Sequence, residues 1–140
     1  VSFTQLLVDM KALLDGQAAT LGIGEVWINA TMPSLDMVGV NLHGRWEPTQ
    51  EIVGCKRAYV TVEISDRRSL SLSNWEVDDI TEKIEQAIYT WLGNNAVPSY
   101  ELEGIDPSAT GTTIVPPKEA EISWLKNQLQ VRVLFTEPGR

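Results

Sequence analysis

RAYVTVEIS, residues 57–65, decides the fold. Ala58, Val60, Val62 and Ile64 alternate with Arg57, Tyr59, Thr61, Glu63 and Ser65. Such a period of two predicts a β-strand with one dry face and one polar face. The dry face requires a covering layer, and the polar face faces solvent, a substrate or another copy of the chain. A second clean alternation closes the sequence. Leu129, Val131, Val133 and Phe135 interleave with Gln128, Gln130, Arg132 and Leu134.

Other strands follow weaker signals. LDMVGVNLHG (35–44) places Val38, Val40 and Leu42 on one face, with Gly39 as a candidate bulge. A flexible loop over 43–55, carrying Gly44, Pro48 and Gly54, would then turn the chain into the 57–65 strand as an antiparallel hairpin with a long tip. YELEG (100–104) reads as a short strand, and residues 25–29 as another. IDPSATGTTIVPPK (105–118) reads as a second long, flexible loop.

Two helices can cover the dry face. Over residues 2–15, Phe3, Leu6, Leu7, Met10, Leu13 and Leu14 form one stripe. Ser2 and Gln5 have capping-box spacing, and Gly16 is placed to end the helix in a left-handed turn. Over NWEVDDITEKIEQAIYTWL (74–92), Val77, Ile80, Ile84, Ala87, Ile88, Trp91 and Leu92 form a second stripe, with Ser73 and Glu76 spaced as a cap and Gly93 placed to end the helix. The expected fold is one α+β domain over 1–140. It has a mostly antiparallel sheet of about four strands and two helices on one face, in the order α-β-β-α-β-β.

Composition narrows the function. A net charge of −8 argues against an exposed nucleic-acid surface and against anionic membranes. No apolar run approaches a membrane span, and the N-terminus lacks a signal-peptide layout. Cys55 is the one cysteine and His43 the one histidine, so no metal site, catalytic site or cofactor is expected. Cys55 lies beside Lys56 and Arg57, and His43 is a candidate to face it across the hairpin. GIG (22–24) follows a helix and is read as a turn, because a dinucleotide fingerprint follows a strand. Of five tryptophans, Trp91 and Trp124 suit a core, whereas Trp27, Trp46 and Trp75 fall in or beside expected turns, where interface and satellite-core roles compete.

The sequence resembles the tail terminator, or tail completion, proteins of long-tailed bacteriophages, typified by that of phage lambda. The likeness lies in the N-terminal amphipathic helix, the proline-led MPSLDMVGVNL, and the extended loop before RAYVTVEIS. It continues through the helix NWEVDDITEKIEQAIYTWL, a proline-rich stretch, and the closing EISWLKNQLQVRVLF. It implies a non-enzymatic virion protein at the head–tail junction, assembled in the host cytoplasm. Six copies would form a ring that caps the tail tube, ends its polymerisation and joins the head. The implied partners are other copies, the tube protein and a head-completion or connector protein, with DNA only as cargo passing through the channel. Candidate interface residues are Trp46, Glu47, Glu51, Arg67, Arg68, Trp75, Ile114 and Val115. Tyr59, Thr61, Glu63, Gln128, Gln130 and Arg132 form the polar sheet face, expected to meet a neighbour or line the channel. The alternatives are another neck or tube subunit, or a small ligand-binding or enzymatic α+β domain.

Overall fold

In the computed structural model, RAYVTVEIS lies inside the strand Cys55–Asp66, in the middle of one mixed sheet. The structure describes residues 2–30, 38–49, 54–66, 74–93, 99–106, 113–115 and 124–136. For residues 74, 75, 113–115, 124 and 125 the description is of backbone only. The helices are α1 (Phe3–Gly16), α2 (Ala18–Leu21) and α3 (Asn74–Leu92). The strands are β1 (Glu25–Ile28), β2 (Val38–Pro48), β3 (Cys55–Asp66), β4 (Tyr100–Asp106), β5 (Thr113–Val115) and β6 (Trp124–Thr136).

The strand order is β1-β2-β3-β6-β4. The short β5 pairs with β6 beyond the end of β4, on the edge that β3 leaves open. All pairs are antiparallel except β1 with β2. The fold is therefore α+β, as expected, with α2, β1 and β5 as short additions to the α-β-β-α-β-β order.

Alternation becomes packing on the inner face. Val40, Leu42, Val60, Val62, Leu129, Val131 and Val133 are all completely buried. They share one apolar cluster with Leu6, Met10 and Leu14 of α1 and with Ile84, Ile88 and Leu92 of α3. Each such large side chain contributes about 1.5–3 kcal/mol on burial, which anchors both helices to the same face of the sheet. A polar clamp adds direction: Asn127, buried at the end of the inner face, donates to Asp78 Oδ1 on α3 at 3.0 Å. At the far edge, the Tyr100 hydroxyl donates to Asp9 Oδ2 on α1 at 2.6 Å, and its ring meets Trp91 edge-on at 5.9 Å.

Several local expectations change. The Ser2 hydroxyl does cap α1, accepting from the Gln5 N–H at 3.0 Å, but the Gln5 side chain donates to Asp9 and does not reach back to Ser2. α1 does end at Gly16, but without a left-handed turn: its C-cap is Gln17 at φ −114°. The chain continues through α2, which carries Leu21 into the core, and the left-handed residue is Gly22 at φ 82°. Ser73, the proposed cap of α3, lies outside the described residues.

The largest correction concerns 43–55. It is not one long loop, because β2 runs on to Pro48 and β3 begins at Cys55. Register is unbroken from Val38↔Asp66 to Pro48↔Lys56, so Gly39 marks no bulge. Gly44 is required by close approach: a Cβ there would stand 2.0 Å from the Tyr59 carbonyl oxygen. The sheet's register shift falls between Leu102 and Gly104. The expected loop over 105–118 is likewise interrupted. Ile105 and Asp106 finish β4, and 113–115 return to the sheet as β5.

Candidate functional site: the open sheet face and its edge

The face of the sheet opposite the helices is where the polar half of each alternation emerges. Strand register lines these residues up in rows. Arg45, Tyr59, Arg132 and Gly104 form one row across β2, β3, β6 and β4. His43, Thr61, Gln130 and Asp106 form the next, and Asn41, Glu63 and Gln128 the one beyond.

Most of the charges in these rows engage one another. Arg57 holds Glu103 with two parallel bonds, Nε to Oε1 at 2.6 Å and Nη2 to Oε2 at 3.1 Å. This bidentate geometry fixes both side chains, which are only 23% and 24% exposed. Glu63 receives Lys126 Nζ at 3.1 Å, with His43 Nε2 at 3.5 Å on the same oxygen. The Tyr59 hydroxyl donates to Glu47 Oε1 at 2.9 Å, while the Arg45 guanidinium lies 4.1 Å over the Tyr59 ring and bonds Glu47 at 3.2 Å. The Tyr59 hydroxyl, with help from Arg45, holds the Glu47 carboxyl below its ordinary range. Arg132 is exposed and has no ion-pair partner among the described residues.

The sequence-selected residues thus separate. Tyr59, Thr61, Glu63, Gln128, Gln130 and Arg132 do share one face. Glu47 joins them, one strand over. Trp46, its neighbour in sequence, points to the helix side but beyond the helices' reach: it is 45% exposed, with Lys56 Nζ 3.9 Å above its ring. Trp46 lies in β2 and not in a turn, Trp27 lies in β1, within the strand expected over 25–29, and Trp75 is the second residue of α3. Ile114 and Val115 pair with Leu125 and Trp124 through their backbones. Glu51, Arg67 and Arg68 lie outside the described residues, as do the side chains of Trp75, Ile114 and Val115. His43 pairs with Thr61, and Cys55 lies opposite Thr136, so the two do not face each other.

Arg45, Arg57, Glu103 and Lys126 went unselected. Arg45 was hidden because Gly44 and Pro48 made HGRWEP look like loop. Arg57 was visible, since it opens the deciding alternation. The partnership with Glu103 needed the sheet order, which brings β6 between β3 and β4.

The open face is close to balanced, with Arg45, Arg57, Lys126 and Arg132 among its carboxylates. The acidic excess sits on α3, where Glu76, Asp78, Asp79, Glu82 and Glu85 face a single Lys83. A cleft of about 370 Å³ between α2 and α3 is lined by Gln17, Thr20, Leu21, Gln86, Thr90 and Lys83, whose ammonium already pairs with Asp79. Among the described residues no group of His, Cys, Asp and Glu is placed to hold a metal ion, and no helix is long and apolar enough to cross a membrane. Compared with known protein families and with curated proteins, the chain matches none.

Proposed function

We propose that this chain is a structural subunit of a bacteriophage tail, of the tail terminator type. Six copies form a ring that caps the tube, stops its growth and presents a joining face to the head. The observation that carries the reading is the uncovered end of the β2–β3 hairpin. There the ladder continues past the helix layer, and Trp46 stands 45% exposed. A large aromatic held on a rigid ladder outside the core is the type of anchor that interfaces use. The α+β element order agrees with what the resemblance implies. The open face offers hydrogen bonds and charges already fixed in place, which suits recognition of a protein surface. In such a ring the acidic side of α3 is the surface that would repel passing DNA, over a range of roughly 8 Å at physiological salt.

Particles assembled without the protein test the assignment. Overlong tails lacking heads are expected. Normal-length tails beside leaking heads would instead make it a head-completion protein. Within the reading, Trp46→Ala should leave the monomer folded while tail attachment weakens by about 2 kcal/mol or more. A large fall in monomer melting temperature with attachment intact would make Trp46 a core residue.

A further inference from the structure

The two edges of the sheet are unequal in a way that points to one occupant. β1 pairs with only Gly39–Leu42 of β2. From His43 to Pro48, β2 is an edge among the described residues, and Gly44, Arg45 and Trp46 are exposed. The carbonyls of Val38 and Leu42 accept from Gly24 and Asn29, on the β1 side. Backbone groups alternate sides along a strand. The N–H and C=O of Gly44 and Trp46 therefore also point outward, with no strand beside them among the described residues. Pro48 lacks an N–H and limits the stretch.

The opposite edge is β4, which also has nothing paired on its outer side among the described residues. Register puts both edges at the same height. His43 is level with Thr61, Gln130 and Asp106, and Pro48 with Lys56, Phe135 and Tyr100. Polarity also matches. β2 is antiparallel to β3, β3 to β6, and β6 to β4, so β4 runs opposite to β2. A second copy set beside the first in the same orientation thus brings its β4 antiparallel to β2, without a vertical offset. On the open face Arg45 comes level with Gly104, where the Arg132 guanidinium of the neighbouring copy takes the place a side chain would fill, with the carboxylates Glu101 and Asp106 to either side.

We infer that β2 residues 43–48 of one copy pair with β4 of the next, so that the sheets of neighbouring subunits become continuous around a closed ring. The contact is head-to-tail, using two different surfaces, which is the kind that closes a ring or grows a filament. The β4 register shift at Leu102–Gly104 keeps the pairing short. Together with the charges on both edges, it disfavours open-ended strand addition. The inference rests on the ring reading, and its test separates the two.

Assembly of the purified chain, alone at rising concentration and on purified tails, is followed by native mass measurement. Backbone hydrogen exchange is read residue by residue in the free subunit and in the assembled state. The Gly44 and Trp46 amides should exchange roughly tenfold or more slowly in the assembly. Trp46→Pro, which removes an outward N–H and leaves the β3 ladder intact, should abolish assembly where Trp46→Ala, which removes the same indole but keeps the N–H, only weakens it, with circular dichroism showing a folded monomer for both. A ring that forms with both amides still exchanging fast overturns the edge pairing and leaves the ring standing. A chain that stays monomeric in solution and on tails overturns both.

Discussion

The two faces of the sheet use the same strands for different ends. On the inner face, Val60, Val62, Val131 and Val133 are completely buried, and their only demand is shape and apolarity. On the outer face, Tyr59, Glu63, Glu103 and Arg57 are partly open to water and specific in their partners. The inner face accounts for the fold through area removed from water. The outer face contributes little to that, because exposed and half-exposed pairs are worth about 1 kcal/mol or less. An ordered polar surface that the fold does not need is available for recognition.

The sharpest way to break this contrast is Val133→Asp. It places a carboxylate with no partner in the core, and a loss above roughly 4 kcal/mol is expected. Chemical denaturation should find no cooperative native state, or a severely weakened one. A mutant of near-normal stability would mean that the inner face is not the core.

Gly44→Ala follows in size. It lies at the uncovered end of the hairpin, yet its Cβ would collide with the Tyr59 carbonyl. A loss of about 1–3 kcal/mol is expected, with hydrogen exchange rising locally around 43–48 and 56–60. No change would show that the two strands can part there at no cost.

Tyr100 sharpens the contrast by pH. Burial, reinforced by the hydrogen bond to Asp9 and its charge, raises the phenol well above its ordinary value near 10. The folded pKa exceeds the unfolded one, so the linked stability is complete below about pH 10 and declines as pH rises through the folded pKa. Tyr100→Phe should cost about 1–2 kcal/mol at pH 7 and flatten the alkaline decline in melting temperature. An unchanged alkaline slope would assign the decline to other groups.

The smallest effects belong to the outer face. Arg57→Ala should cost no more than about 1 kcal/mol, less in high salt. Tyr59→Phe should leave the melting temperature nearly unchanged while the Glu47 carboxyl, followed by NMR, titrates higher. A loss from either mutation to rival Val133→Asp would dissolve the distinction between the faces.

Legibility follows the same division. Every buried residue on β3 and β6 that alternation assigned to the core is there, because period two is a local property. Helix stripes were equally plain: Val77, Ile80, Ile84 and Ile88 are buried as spaced. Non-local geometry was not legible. Gly44 and Pro48 are loop formers by propensity and strand residues by context, since a paired ladder overrides both. The pairing of Arg57 with Glu103 depends on strand order, which periodicity does not encode. Trp46 was picked out as an interface residue for the wrong local reason, a turn, and stands exposed for another, an uncovered ladder.

The strand order also sets a schedule. β6 comes after every element it packs against, yet it lies between β3 and β4 and closes the ladder from both sides. Its end meets Cys55, 81 residues earlier in the chain, and Tyr100 reaches back 91 residues to Asp9. Few of the decisive contacts are local, so loop closure precedes most of the reward and folding is slow for a chain of this size. During synthesis the apolar side of β3 waits without its central neighbour until residue 136 is free of the ribosome. The sheet is thus completed late, when β6 takes its place between β3 and β4.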